Sequence, residues 1–177
     1  MSLPHALLTS LLERPSSGLE LARRFDRSIG FFWSATHQQI YRELARLEAA
    51  GWVASSPVVD GRGRKRLYKV LAKGKQELRR WVEAAEDPRP LRDEMMVRLR
   101  AEAAIGPTRL GRDLERRAAL HRAKLATYRA IEARDFVGKK LSTRGQQLQH
   151  LVLRTGILHE TMYLEITLGA LAILDRD

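Results

Sequence analysis

Residues 34–51, SATHQQIYRELARLEAAG, constrain this chain more than any other stretch. Ile40, Leu44 and Leu47 recur at i, i+4 and i+7, the spacing of one apolar stripe along an α-helix. Ser34 is a residue type that caps helix N-termini, and Gly51 can take the left-handed conformation that ends one. The other faces carry Thr36, His37, Gln38, Gln39, Arg42 and Arg46, with Glu43 and Glu48 the only acids. Hydroxyl, amide and guanidinium groups in the first turns have the reach to meet base edges or phosphates, so the stretch reads as a recognition helix for DNA. An ordinary amphipathic surface helix is the competing reading, and the flanking segments decide between them.

Upstream, Leu3–Arg14 reads as a helix with Leu7, Leu8, Leu11 and Leu12 apolar, capped by Ser2 and stopped by Pro15. Ser17 and Glu20 fit a capping box that opens a second helix over 18–27, with Leu19, Leu21, Ala22 and Phe25 apolar and Arg23, Arg24 and Arg27 polar. Phe31, Phe32 and Trp33 lie in the loop before the third helix, as core packing that fixes its entry or, in the minority reading, as a stacking surface for a ligand. Downstream the period changes. Trp52–Val59 and Arg62–Val70 read as two strands joined at Asp60 and Gly61, a tight-turn pair. The tip and outgoing strand carry Arg62, Arg64, Lys65, Arg66 and Lys69 with no acid among them. Edge strands use cations against aggregation, but five without a counter-charge point to phosphate contact. Helix, helix, helix, hairpin is the order of a winged helix-turn-helix, in which the third helix enters the major groove and the hairpin reaches the flanking backbone. A fourth helix follows over Ala72–Glu86.

The bulk numbers agree with a polyanionic partner. The 177 residues carry a formal net charge of +11, and a 44% hydrophobic content is enough for a core. The chain has no Cys, which excludes disulfides, thiolate catalysis and Cys-ligated zinc. The N-terminus lacks a basic region ahead of its apolar run, and no eighteen apolar residues run uninterrupted, so neither a signal peptide nor a membrane span is expected, and the location expected is cytoplasmic.

Asp87, Pro88 and Pro90 mark a boundary between a DNA-binding domain, 1–86, and a helical domain, 91–177. In the second domain helices are expected at Asp93–Ala104, from Pro107 to about Asp135, and from a Thr143–Gln146 capping box to about Leu174. The last helix is apolar on most sides towards its end. Leu148, Val152, Leu158, Met162, Ile166 and Ile173 are its candidates for pairing with a second copy of the chain. Amphipathic membrane binding is the rival use, disfavoured by the acids interspersed along these helices.

The run FWSATHQQIYRELARLEAAGWV, the basic hairpin ending RLYKV and the segment AKGKQELRRWV resemble the PadR family of winged-helix transcriptional regulators, in the branch that contains the AphA virulence activator. The resemblance covers roughly residues 3–86. His37, Gln38 and Gln39 depart from the small residues of the main branch, and Leu71 and Ala72 replace the Thr that usually caps the fourth helix. It implies DNA contacts from Ser34, Thr36, His37, Gln38, Gln39, Tyr41 and Arg42, and from Arg62, Arg64, Lys65 and Arg66 of the hairpin. By side-chain chemistry Gln38, Gln39 and Arg42 suit bases, and the hairpin cations suit phosphate or the minor groove. Tyr41 is open to phosphate contact or to packing beneath the helix. The family also implies a C-terminal dimer and, in some members, phenolic acids or drugs bound near the domain junction, for which Trp33, Trp81, Met95 and Met96 are candidates alongside plain core packing.

No catalytic constellation emerges. The five His residues include no i, i+4 pair around a Glu base, and there is no phosphate-binding glycine loop or nucleophile elbow. His121 reads as a polar residue at a helix interface, and no metal or cofactor is expected. The expected fold is mainly α with one hairpin. The expected function is that of a dimeric, sequence-specific transcriptional regulator of a pseudo-palindromic operator, a repressor or autoregulator open to a small-molecule effector. A winged helix serving as a protein-interaction or architectural module is the alternative.

Overall fold

A leucine-rich first helix starts the N-terminal core. In the computed structural model, which describes residues 3–26, 35–57, 65–88 and 90–175, helix α1 runs Leu3–Glu13 and buries Leu7, Leu8 and Leu11. Strand β1 is Ser16–Ser17, helix α2 Gly18–Asp26, helix α3 His37–Ala49, strand β2 Val53–Pro57, strand β3 Arg66–Val70 and helix α4 Ala72–Glu83. The core joins those leucines to Leu21, Ala22 and Phe25 of α2, to Ile40, Leu44 and Leu47 of α3 and to Val53 of β2. Leu12 and Leu19, apolar by sequence, stand 41% and 46% exposed beside it. These elements fall in one compact unit, Met1–Pro88; Arg89–Asp177 form a second.

The capping box expected at the start of α2 is present. Glu20 Oε2 accepts from the Ser17 backbone N–H at 3.1 Å and from the Ser17 hydroxyl at 3.0 Å, while the Glu20 N–H donates to Ser17 Oγ at 3.4 Å. The hairpin is also present, with Val53 opposite Val70 and Pro57 opposite Arg66. Its turn, with Asp60 and Gly61, lies outside the described residues, as does the aromatic loop 31–33. The sequence did not announce a third strand. Ser16 and Ser17 pair antiparallel with Tyr68 and Leu67, giving the order β1-β3-β2. Two serines carry no strand propensity worth reading, and only the pairing with β3 makes them a strand.

Helix α4 starts at Ala72 with no side-chain cap from Leu71, as the missing Thr implies, and ends at Glu83 rather than Glu86. Its Trp81 stacks on His5 of α1 with ring centroids 4.5 Å apart and planes 10° apart. His5 Nε2 also lies 3.2 Å from Glu77 Oε1, so α1 and α4 are fastened by a ring stack and a hydrogen bond.

The second unit is three helices: α5 Glu94–Ile105, α6 Leu110–Asp135 and α7 Arg144–Leu174. Asp93 caps α5 by accepting from the Met95 N–H at 2.8 Å and takes the Tyr163 hydroxyl of α7 at 2.5 Å. Helix α6 starts three residues later than Pro107 suggests. Buried Glu102 accepts the Thr108 N–H at 2.7 Å and its hydroxyl at 2.5 Å, holding the connection as a turn until Leu110. The pairings His121–Glu160, Tyr128 against Gly156 and Glu132–His150 run in opposite senses along α6 and α7, which makes the two an antiparallel hairpin. Thr143 and Gln146 form the expected capping box. Length and composition make α7 the one helix among the described residues able to cross a membrane, contrary to the count of uninterrupted apolar residues. Yet its middle carries Glu160, 3% exposed and held by α6, which belongs to a packed hairpin rather than to lipid.

Gly74 is buried at the foot of the sheet, where an added Cβ would sit 2.3 Å from the Trp52 carbonyl oxygen and 3.0 Å from Val70 Cγ1. That oxygen already accepts the Leu71 N–H at 2.9 Å and cannot withdraw freely. Gly74→Ala is therefore expected to lower stability by about 1–3 kcal/mol. Urea unfolding followed by tryptophan fluorescence measures it, since Trp33, Trp52 and Trp81 all precede residue 88.

Candidate nucleic-acid interface

The third helix is fixed at both ends and along one side. Its N-cap is Thr36, two residues later than the expected Ser34, which lies outside the described residues. Thr36 and Gln39 form a full capping box. Gln39 Oε1 accepts the Thr36 N–H at 2.8 Å, and Thr36 Oγ1 accepts the Gln39 N–H at 3.2 Å. The signal, Thr followed three residues on by Gln, was in the sequence and outranks a lone Ser. At the other end Gly51 has φ +70°. The Trp52 N–H reaches the Leu47 carbonyl at 2.9 Å and the Gly51 N–H reaches Glu48 at 3.0 Å, a Schellman closure.

Between the caps Ile40 and Leu44 are fully buried and Leu47 is 2% exposed. His37, Gln38, Gln39, Arg42 and Arg46 are exposed on the other faces. Arg46 pairs with Glu43 at 3.2 Å. Gln39 is less free than its chemistry suggested, because the cap engages its carbonyl oxygen and leaves the NH₂ as the group able to donate outward. Tyr41 does some of both things open to it. Its ring packs on the first residue of α2, where a Cβ at Gly18 would come within 2.4 Å of Tyr41 Cε1, and it remains 44% exposed.

Two of the five hairpin cations, Lys65 and Arg66, meet counter-charges once the chain is folded. Lys65 Nζ lies 2.9 Å from Glu20 Oε1. Arg66 donates to Ser55 Oγ at 2.6 Å and to the Ser55 carbonyl at 3.0 Å, with Glu48 at 3.9 Å. Acids from α2 and α3 thus meet these two of the cations that lack one in sequence. Arg62 and Arg64 lie outside the described residues. The hydrogen bond from Lys65, then those from Ser17, hold the Glu20 carboxyl down to about 2. The Ser55 hydroxyl and N–H, with Arg66 beyond them, lower Glu48. Arg24, grouped by sequence with the exposed arginines of α2, is instead a tie between elements: it donates to the carbonyls of Arg14 and Ser10 and to Ser16 Oγ.

On α7, Leu148, Val152, Leu158, Met162, Ile166 and Ile173 are 37–64% exposed within the single chain. His121 bonds Glu160 at 2.6 Å, and among the described residues no three His, Cys, Asp or Glu side chains gather around a metal position. Of the effector candidates, Trp81 stacks on His5, Met95 is buried, and Trp33 lies outside the described residues.

Residues 7–80 match the family described as "Transcriptional regulator PadR-like family", and residues 91–175 match "Virulence activator alpha C-term". The chain is 42% identical over 171 residues, 90% of each sequence, to "Probable transcriptional regulator Rv1176c" of Mycobacterium tuberculosis. Its structure is similar to that of the Vibrio cholerae virulence activator AphA, with TM-score 0.81, 28% identity and 99% of both chains covered. It is as similar to Bacillus subtilis PadR in complex with operator DNA, with TM-score 0.81, 25% identity and 98% and 99% covered. The same protein in complex with p-coumaric acid matches with TM-score 0.75, 26% identity and 99% of both chains covered.

Two outcomes follow from the geometry. Gln39→Ala should cost about 1 kcal/mol through loss of the α3 cap, and Gln39→Glu, which restores the acceptor, should recover most of it in urea unfolding. Glu20 and Glu77, each held at about 2 against an ordinary 4.5, stabilise the fold above pH 4.5, and that contribution is lost as pH falls towards 2. Glu20→Gln should reduce this acid dependence without abolishing it, since Glu77 and Asp113 are held equally low.

Proposed function

The chain belongs to the PadR-like family of transcriptional regulators, and from that premise we propose that it binds a pseudo-palindromic operator in the cytoplasm as a homodimer, acting as a repressor or autoregulator. The observation that carries this reading is the division of α3. One face is fully buried in the winged-helix core, and the opposite face offers Gln38, Arg42 and their neighbours to solvent. A helix so anchored can lie in the major groove without leaving its own domain. Gln38 and Arg42 are the base-reading pair of this proposal, because amide and guanidinium groups bond bidentately to adenine and guanine. His37, Tyr41, Thr36 and Ser34 complete the set of contacts proposed for this helix and its start. Gln39 adds its NH₂ while holding the cap. Arg62, Arg64, Lys65 and Arg66 contact phosphates, the last two by exchanging exposed protein carboxylates for DNA. That the similar Bacillus protein was solved in complex with operator DNA supports a DNA partner for this chain.

A two-fold dimer supplies the second half-site. The exposed apolar positions of α7 support it, as does the family, and the relative's complex with p-coumaric acid supports a small-molecule effector. In a gel-shift or anisotropy titration, Gln38→Ala should weaken the true operator by about 1–3 kcal/mol and leave unrelated duplexes unchanged. Arg64→Ala should weaken every duplex alike and reduce the slope of log K against log salt by about one. No binding to any duplex at low salt would remove the proposal. Met162→Glu, placing a charge on the exposed apolar face of α7, should yield a monomer in analytical ultracentrifugation and lose cooperative operator binding.

A further inference from the structure

Glu48 sits where two charges argue against an acid. It lies in the last turn of α3, at the end of the helix dipole that favours cations, and on the element proposed to lie against phosphates. What it does there is hold the hairpin. Its Oε1 alone accepts both the Ser55 backbone N–H, at 2.9 Å, and the Ser55 hydroxyl, at 2.6 Å. That N–H belongs to β2, the outer strand in the order β1-β3-β2, and it is given to α3 rather than to the ladder with β3. The Ser55 hydroxyl has one hydrogen, which goes to Glu48, so its lone pairs are left for Arg66 of β3. Arg66 Nε donates to Ser55 Oγ at 2.6 Å, and Nη2 donates to the Ser55 carbonyl at 3.0 Å. Glu48 Oε1 itself is 3.9 Å from Arg66 Nη2. The guanidinium is therefore held by Ser55, and Ser55 by Glu48, in one chain of bonds from the third helix through β2 to β3. Arg66 can give up the distant carboxylate to a phosphate while this chain stays whole.

We propose that Glu48 is a positioning residue for operator recognition: through Ser55 it locks the base of the hairpin to the last turn of the third helix and holds Arg66 ready for the DNA backbone. Glu48 touches no nucleotide in this scheme. It fixes the hairpin cations relative to Gln38 and Arg42, so that base and backbone contacts are made together without ordering the hairpin first. Charge alone gives the opposite expectation, because deleting an acid from a surface that meets phosphates strengthens attraction to DNA. The sign of one substitution thus separates the two. The inference rests on the reading of α3 and the hairpin as the elements that contact DNA.

Anisotropy titrations of the full-length protein test it, on a duplex that the protein selects from a random-sequence library and on an unrelated duplex of the same length. Glu48→Ala should weaken the selected duplex about five- to tenfold and the unrelated one by less than about twofold. Glu48→Gln keeps an amide oxygen that can accept both Ser55 bonds and removes the charge, so it should bind the selected duplex at least as tightly as the wild type. Ser55→Ala should also weaken the selected duplex, and adding it to Glu48→Ala should bring no further loss, because both break the same chain. Glu48 and Ser55 are both partly exposed, so each variant should keep the wild-type melting temperature within a few degrees. Glu48→Ala binding as tightly as the wild type, Glu48→Gln losing as much as Glu48→Ala, or additive losses in the double variant would overturn the proposal. The wild-type titration reports separately on DNA binding itself, and the difference between the Ala and Gln variants reports on Glu48.

Discussion

The burial of Ile40, Leu44 and Leu47 governs the N-terminal unit. Removing three aliphatic side chains from water is worth roughly 1.5–3 kcal/mol each. A helix advances 100° per residue, so any rotation of α3 by one position would lift this stripe out of the core. The stripe therefore fixes which side chains point outward, and it does so with more free energy than a single base contact of about 1–3 kcal/mol can supply. Helices α1 and α2 and the strand Val53 complete the socket. The caps at Thr36 and Gly51 then fix the helix along its axis. Rotation and register are settled before any partner arrives, which is the preorganisation a recognition element requires.

Much of this was legible because the relevant signals are local. A stripe at i, i+4, i+7, a Ser or Thr three residues before Glu or Gln, and a glycine after the last turn each act within one element. The boxes at Ser17 and Thr143 were found on that basis, and α6 and α7 end where the sequence placed their ends, at Asp135 and Leu174. What escaped was relational. The strand Ser16–Ser17 exists through its pairing with Leu67 and Tyr68. The late start of α6 depends on Glu102, a residue eight positions upstream that captures Thr108. For Lys65 and Arg66 the apparent lack of counter-charges was a property of the linear string, since Glu20 and Glu48 come from other elements. The residues of the interface were identified by type, and the Thr36–Gln39 box, legible in the string, was passed over for Ser34, so that Gln39 was read as a free base contact rather than as a partial cap.

Helix α7 holds two arrangements that sequence periodicity merges into one. Its apolar residues are numerous enough to read as apolar on most sides. The fold sorts them: Leu148, Val152, Leu158 and Met162 stand exposed, and the side towards α6 carries the polar anchor Glu160 and the buried Thr167. An exposed apolar stripe of this size is costly for an isolated chain, which is what a two-fold partner relieves. A buried acid is costly too, and here the relief is internal.

The two halves also use charge in opposite ways. The pairs Lys65–Glu20 and Arg66–Glu48 are open to solvent, and exposed pairs of this kind are worth about 0–1 kcal/mol. A phosphate can take over such a cation at little expense, and salt competes for it in the same way. The cluster around Glu160 is a different object, because removing one member would leave a charge uncompensated in a medium that solvates it poorly. Its cations are held in place rather than lent. Exchangeable charge suits a surface that must find and release a long polyanion, and fixed charge suits the seam of a helical hairpin. The distribution of burial, more than the net charge of the chain, separates the two roles.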